Sequence, residues 1–230
     1  VFISGVGKGL GKELLQVFAK KNYRVFGLLR KPEQLESLDR EFRKMFVPVI
    51  TDLNAPDCET RIKEIIKGTP LCLLINNAGV GGRSAKLKEV KGSDLLEIIE
   101  VHCVGVLRLS QCLVDNLLLT PQPAIININS RMGSISEQYK GTFSHLKMNY
   151  EYRIAKAAQN MLSACIKGEY QDRLRVYQVH PGRMKTNLSQ SDADLDPADA
   201  AKNIFDLWSR NQLTEGQGII DSQENKMIAW

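Results

Sequence analysis

The 230-residue chain lacks several features that would assign it to a specialised class of protein. Its cysteines form no C-x-x-C pair and follow no metal-ligand spacing, so we expect neither a disulfide framework nor a bound metal. We expect the thiols to behave as small apolar core residues in a reducing compartment. They are Cys58, Cys72, Cys103, Cys112 and Cys165.

Long apolar runs are also missing. No run reaches the length that spans a bilayer, and no charged-then-apolar signal precedes the first glycine-rich turn. We therefore expect a cytoplasmic protein with no membrane partner. The chain has no internal repeat, low-complexity tract or long linker either, so we expect one domain over residues 1–230.

A strong charge of one sign is absent as well. The formal net charge is +5, and basic residues alternate with acidic ones, as in residues 20–44. This pattern predicts solvated helix faces. Because no recognition motif accompanies the charge, we expect no nucleic-acid partner.

Apolar runs and amphipathic stretches alternate along the chain. Non-alternating apolar runs such as LCLLI and AIINI indicate strands that are covered on both faces. Repeated β-α-β units predict a Rossmann-type, doubly wound parallel sheet of about seven strands, with helices on both faces. The predicted strands are 1–4, 24–29, 46–50, 71–76, 123–129, 174–180 and 216–220, and the predicted helices 9–21, 32–44, 57–67, 93–119, 149–169 and 197–209.

The predicted 93–119 helix is apolar on more than one side. This pattern indicates either deep burial or a subunit contact, the latter in a homodimer or homotetramer.

The glycine loop after the first strand is the first feature that points to a ligand. Gly5, Gly7, Gly9 and Gly11 lie between an apolar strand and a helix. Glycine lets the backbone approach a pyrophosphate closely, and a helix N-terminus offers N–H groups and a positive dipole end. The alternative is a plain strand-to-helix turn that happens to contain glycines.

A tyrosine and a lysine in the fifth predicted helix form a second candidate site. Tyr152 and Lys156 are four residues apart, which places both side chains on one helix face. An ammonium beside a phenol is expected to lower the pKa of the tyrosine, which would make it a general acid or base. The pair could equally be a surface helix pair, but Ser130 ends the preceding strand at the carboxyl edge of the sheet, where open α/β folds bind ligands.

Together these motifs resemble the short-chain dehydrogenase/reductase family over nearly the whole chain. Residues 131–136, the short segment after Thr186 and the terminal tryptophan further resemble its branch of C-factor and Sniffer-type carbonyl reductases. The family motifs occur in the expected order: Ser4, Gly5, Gly9 and Gly11; Asn76, Asn77, Ala78 and Gly79; Ser130 and Gly133; Tyr152 and Lys156; Pro181, Gly182 and Thr186.

The resemblance implies a role for each of these residues. Tyr152 would exchange a proton with the substrate oxygen, Ser130 would hydrogen-bond that oxygen, and Lys156 would hold the nicotinamide ribose. Thr186 would bind the carboxamide beside Pro181 and Gly182. The remaining residues implied to contact or line the cofactor are Ser4, Gly5, Gly7, Lys8, Gly9, Leu10, Gly11, Arg30, Asp52, Leu53, Asn77, Ala78 and Gly79.

The resemblance also implies a cofactor preference. NAD-binding relatives carry an acid at the end of the second strand, whereas this chain has Leu29 there, followed by Arg30. Lys8 in the glycine loop is a second cation that could reach a 2′-phosphate, so we expect NADP(H). The alternatives are that Lys8, Arg30 and Lys31 are ordinary surface charges, and that Asp52, placed to contact adenine, is a turn or cap residue.

Two departures from the family pattern stand out. His102 fills the position where the family has an asparagine that supports a proton-relay water, so it is either a relay residue or a satisfied core histidine. Ser130 and Tyr152 are also farther apart than is usual, and we expect residues 134–150 to form a loop at the cleft mouth or a subunit contact.

The sequence thus predicts an NADP(H)-dependent enzyme that acts on a small carbonyl or alcohol substrate. The alternative from another class is a cofactor-binding regulatory protein without turnover. An epimerase or dehydratase of the wider family is a third interpretation.

Overall fold

The computed structural model describes residues 1–36, 38, 40–84, 86–146, 149–185, 192–216 and 218–230. It contains one eight-stranded sheet in the order β3-β2-β1-β4-β5-β6-β7-β8, parallel except for the last pair. The strands are β1 (Phe2–Ser4), β2 (Val25–Leu29), β3 (Phe46–Ile50), β4 (Leu73–Asn76), β5 (Ala124–Ile128), β6 (Arg175–His180), β7 (Gly218–Asp221) and β8 (Lys226–Ala229).

Helices cover both faces of the sheet, as the sequence predicts. Helices α1 and α7 contribute apolar side chains to the core on one face, and α2, α4 and α6 to the core on the other. The helices are α1 (Gly9–Lys20), α2 (Cys58–Ile66), α3 (Gly92–Ile99), α4 (Gly105–Leu118), α5 (Ile135–Tyr139), α6 (Tyr150–Tyr170) and α7 (Pro197–Ser209).

The buried strands explain the non-alternating apolar runs. Neighbouring residues of one strand enter opposite cores: Ile126 packs with α1 and α7, and Ile125 with α2 and α4. Both side chains are fully buried. A strand covered on both faces is therefore mostly apolar along its whole length and shows no alternation of apolar and polar residues.

The strand order places a ligand site. The chain runs outward from β1 to β2 and β3, then returns to add β4 on the other side of β1. The loops that follow β1 and β4 therefore diverge and leave a crevice at the carboxyl edge of the sheet.

Two predicted helices differ from the structure. The stretch 32–44 contains two short 3-10 helices, Pro32–Leu35 and Arg40–Lys44, rather than one helix. Among its described side chains only Leu38 and Phe42 are buried, which is too little apolar surface to stabilise a long helix. The predicted 93–119 helix is interrupted by a π-helical turn, Glu100–Val104, in which the Gly105 N–H donates to the Glu100 carbonyl.

The eighth strand and α5 were not predicted. β8 is a short antiparallel edge strand whose side chains are mostly exposed, so it lacks the apolar run that identifies the others. In the 134–150 segment, Ser134 caps α5 by accepting a hydrogen bond from the Glu137 N–H at 3.0 Å. Phe143 and Leu146 then pack with Met132 in a small separate cluster.

The prediction that the cysteines are core residues is confirmed for some of the five. All five thiols are free; Cys58 and Cys112 are buried and Cys72 and Cys103 half-buried, but Cys165 is exposed on α6. Burial raises the pKa of the Cys112 thiol to about 11. Among the described helices, none combines the length and apolarity needed to cross a membrane.

Candidate active site

A cleft of about 780 Å³ lies along the carboxyl edge of the sheet. Its volume is within the range of small-molecule and cofactor sites. Every predicted site residue among the described ones lines it except Ser4, while Thr186 lies outside the described residues.

The glycine loop forms one end of the cleft and requires glycine for two reasons. Gly5 and Gly9 adopt positive φ values of 72° and 54°. A Cβ at Gly11 would lie 2.1 Å from the Gly5 carbonyl oxygen, so the loop closes tightly on α1. A Cβ at Gly9 would meet nothing within 4 Å, which leaves the start of α1 open to an approaching group.

Ser4 lies beneath this loop and not in the cleft wall, where the sequence predicted it. Its hydroxyl accepts hydrogen bonds from the N–H groups of Asn77 at 2.9 Å and Ala78 at 3.0 Å. The Asn77 side chain donates in return to the Ser4 and Gly5 carbonyls at 2.9 and 3.2 Å. Ser4 therefore ties the loops after β1 and β4 together and does not line the cleft. Asn76 is likewise buried below the cleft, where it donates to Asn127 at 2.8 Å.

Two exposed cations lie near the glycine loop. Lys8 precedes α1 and Arg30 follows β2, and both line the cleft. Gln34, which the sequence reasoning missed, accepts hydrogen bonds from the N–H groups of Arg30 at 3.0 Å and Lys31 at 3.1 Å. A Cβ at Gly7 would lie 2.4 Å from the Gln34 side-chain nitrogen, so this glutamine packs against the glycine loop at Gly7 and fixes the turn that carries Arg30.

Asp52 and Leu53 line the cleft beside this end. The Asp52 carboxylate accepts the Asn54 N–H at 2.9 Å, a local turn bond of the kind that the turn interpretation expected. Asp52 is nevertheless exposed to the cleft, so the same carboxylate can also meet a ligand.

At the other end, three predicted catalytic side chains converge. Ser130 follows β5, and Tyr152 and Lys156 lie one turn apart on α6. The Ser130 hydroxyl lies close enough to Tyr152 to affect its pKa, and the Lys156 ammonium lies 5.7 Å from the centroid of the Tyr152 ring. A Cβ at Gly133 would lie 2.9 Å from the Lys156 Cβ, so the glycine three residues after Ser130 allows this close approach.

Burial controls the ionisation of this group. Desolvation lowers the pKa of Lys156 to about 7, because the folded chain buries the ammonium almost completely. Desolvation also raises the pKa of Tyr152, and the nearby Ser130 hydroxyl opposes that effect only in part. The expectation of a lowered tyrosine pKa is therefore wrong for the protein chain by itself.

His102 lies in the π-helical turn and contacts both the cleft and the loop after β4. Its Nε2 is 2.8 Å from the Val80 carbonyl oxygen and 3.2 Å from the Val80 nitrogen. Its ring packs edge-on to Tyr152 with centroids 5.4 Å apart. Burial, together with the charge of Lys156, lowers the pKa of His102 to about 3, so the imidazole is neutral. This packing favours a positioning role, although the buried Nδ1 has no partner among the described residues.

Pro181 and Gly182 follow β6 and line the same cleft as Tyr152 and Lys156. Gly182 has a φ of +96°, and a Cβ there would lie 2.7 Å from the Leu195 side chain. Two cleft residues here were missed by the sequence reasoning. Arg131 pairs with Asp192 at 2.5 Å, and His180 is buried at the end of β6 with both ring nitrogens unpartnered among the described residues.

The fold and the cleft define a doubly wound α/β protein with a ligand site at its topological switch point. The model of the short chain dehydrogenase family matches residues 1–196. The chain therefore belongs to the short-chain dehydrogenase family, as its motifs predict.

Relatives of known structure and name are similar over most of the chain. An NADPH-dependent pterin aldehyde reductase of Arabidopsis thaliana is 26% identical over 196 residues, which cover 83% of this chain and 77% of the relative. The NADPH-bound carbonyl reductase from chicken fatty liver has a TM-score of 0.85 at 25% identity and covers 100% and 98% of the two chains. The carbonyl reductase Sniffer of D. melanogaster has a TM-score of 0.84 at 26% identity, with the same coverage.

Proposed function

We propose that the protein is an NADP(H)-dependent oxidoreductase that reduces a small carbonyl substrate or oxidises the corresponding alcohol. Residues 1–230 would act as one dinucleotide-binding domain. The observation that carries the proposal is the convergence of Ser130, Tyr152 and a buried Lys156 on the cleft whose other end is the open glycine loop.

The chain's own residues fit a nicotinamide dinucleotide. The bare backbone around Gly9 at the start of α1 suits a pyrophosphate. Leu10, Leu53 and Ala78 offer apolar walls, and Asn77 and Gly79 contribute the loop after β4. Pro181 and Gly182 line the same cleft and would lie beside the nicotinamide ring. When bound, that ring would supply the hydride.

The ionisation of the three side chains supports reduction. With a raised pKa, Tyr152 is a neutral phenol at physiological pH and can donate its proton to a carbonyl oxygen. Ser130 can donate a hydrogen bond to the same oxygen as charge develops on it. Lys156 would hold the ribose hydroxyls, and an added partner of this kind would favour its charged form.

The 2′-phosphate of NADP(H) has two candidate partners. Lys8 and Arg30 flank the same end of the cleft, and Arg30 can make paired hydrogen bonds to phosphate oxygens. β2 ends in Leu29, so no carboxylate there would repel the phosphate. The NADPH named for the chicken and Arabidopsis relatives supports the same assignment.

A cofactor-binding regulatory protein without turnover is the second candidate function. The intact Ser130, Tyr152 and Lys156 favour the enzyme, because a sensor gains nothing from proton chemistry. A homodimer or homotetramer is compatible with the exposed apolar side chains of α6, Ile154 and Met161.

NADPH oxidation with a panel of aldehydes and ketones tests the proposal. We expect turnover of at least one carbonyl compound by the wild-type protein and none by the Tyr152→Phe variant. NADPH binding without turnover of any carbonyl or alcohol would favour the regulatory protein.

A further inference from the structure

The Lys156 ammonium donates to two acceptors inside the protein. It is 4% exposed and donates to the Ile128 carbonyl at 2.7 Å and to the Gln159 side-chain oxygen at 2.9 Å. An ammonium has three N–H groups. These two acceptors therefore occupy two of them and leave one for the cleft.

Gln159 is built into the core of the site. It is 1% exposed, and its carbonyl accepts the Ser163 hydroxyl at 2.8 Å. Ser163 in turn accepts from Asn127 of β5 at 2.8 Å. The helix turn that carries Gln159 is thus tied to the sheet by a buried row of hydrogen bonds, which fixes where its side chain can reach.

We propose that Gln159 is a positioning residue for Lys156: with the Ile128 carbonyl, it orients the ammonium so that its third N–H faces the cleft. The inference rests on the proposed function, in which that N–H meets the ribose hydroxyls. Gln159 also supplies a carbonyl dipole to a cation that burial destabilises, so it favours the charged form.

The other titratable and charged groups around Lys156 do not stabilise its charged form by a hydrogen bond. Tyr152 on the same helix is neutral, and His102 from the π-helical turn is neutral because its pKa is lowered to about 3. The elements packed on α6 also carry Glu97, Arg131 and His180 into the cleft wall. None of these makes a hydrogen bond to the ammonium among the described residues, so Gln159 is its side-chain acceptor there, beside the Ile128 carbonyl.

Two substitutions test this role in opposite directions. Gln159→Met keeps the length of the side chain but removes the oxygen, and Gln159→Glu keeps an oxygen and adds a negative charge. We expect the alkaline limb of kcat/KM for carbonyl reduction to move down by about one pH unit in Gln159→Met and up by a similar amount in Gln159→Glu. NADPH affinity at pH 7.5 should fall about tenfold in Gln159→Met. Gln111→Met, at an exposed site on α4, is the matched control.

A direct titration separates this inference from the proposed function. The 13Cε chemical shift of Lys156 reports its pKa without cofactor or turnover. A lower pKa in Gln159→Met and a higher one in Gln159→Glu would support the inference even if no carbonyl were reduced, and the proposed function alone would then fail. Equal Lys156 pKa values in the wild type and both variants, or unshifted pH profiles, would overturn it.

Discussion

The two ends of the cleft carry positive charge in opposite ways. At the glycine-loop end, Lys8 and Arg30 are exposed, so water and salt screen them. At the other end, Lys156 is buried, and desolvation lowers its pKa to about 7. Each exposed charge is expected to contribute a modest free energy to the choice between ligands. The buried Lys156 ammonium needs fixed hydrogen-bond partners, and we expect its removal to slow the reaction itself.

The largest effect should come from the buried end. Tyr152→Phe removes only the acidic hydroxyl, so we expect kcat to fall by about 10²–10⁴-fold while NADPH still binds. Stopped-flow or steady-state NADPH oxidation, together with cofactor fluorescence, measures both quantities. Tyr139→Phe, at a side chain that is 90% exposed, is the control. Residual activity above about a tenth of wild type would contradict the general-acid role.

Lys156→Ala should weaken both cofactor binding and turnover, since the same ammonium is proposed to serve the ribose and to stand beside the tyrosine. We expect a loss of about 10²-fold in kcat/KM with a higher Kd for NADPH. The exposed Lys202 of α7 gives the matched control, Lys202→Ala. An unchanged Kd would remove the ribose part of the role.

The buried histidines should make stability depend on pH. Burial lowers the pKa of His102 and of His180 to about 3, below the ordinary value of 6.5. Between these values the unfolded chain binds more protons than the folded one, so the free energy of unfolding falls as pH drops from 6.5 toward 3. Urea unfolding at pH 7, 6 and 5 should show this loss, with a shallower slope in His180→Asn.

His145 provides the control for that experiment, because its side chain is exposed. His145→Gln should leave the pH dependence of unfolding as it is in the wild type. A slope that is equal in His180→Asn and the wild type would show that the imidazole is not held neutral by the fold.

Sequence alone predicted the sheet, the family and most of the cleft wall, because these depend on local patterns. Apolar runs located seven of the strands, and glycines marked the turns that Gly5, Gly9 and Gly182 require. The residues it missed belong to no motif. Gln34 and Gln159 lie only four and three positions from Arg30 and Lys156, but as ordinary polar residues they carry no sequence signal that their oxygens accept from the Arg30 N–H and the Lys156 ammonium.

The direction of the Tyr152 pKa could not be predicted from residue spacing, because it depends on burial. A lysine four residues away suggests a lowered value, but the result depends on how deeply both groups are buried and on what holds the ammonium. Ser4 is a related case: the motif position is occupied, yet its hydroxyl is used by the N–H groups of Asn77 and Ala78.

Two substitutions of His102 distinguish a relay role from a positioning role. His102→Asn restores the usual residue of the family, whereas His102→Leu removes the bond to Val80. If the imidazole serves a relay, we expect His102→Asn to retain most activity and His102→Leu to lose about tenfold. Equal activity in the two variants would favour a packing role alone. Unfolding in urea distinguishes a loss of activity from a loss of stability.

The smallest effect should come from the exposed end, where Arg30 is proposed to contact the 2′-phosphate. We expect the wild type to prefer NADPH over NADH in kcat/KM, and Arg30→Ala to reduce that ratio by about tenfold while kcat with saturating NADPH stays nearly constant. Lys31→Ala is the matched control, since Lys31 is an adjacent exposed cation that does not line the cleft.

The preference for NADPH should weaken between about 0.05 and 0.5 M salt, because screening acts on exposed charges and not on Lys156. A wild-type preference for NADH, or an unchanged ratio in Arg30→Ala, would contradict the assignment of NADP(H). A ratio that does not change with salt would mean that the phosphate is held by buried groups, and the contrast between the two ends would fail.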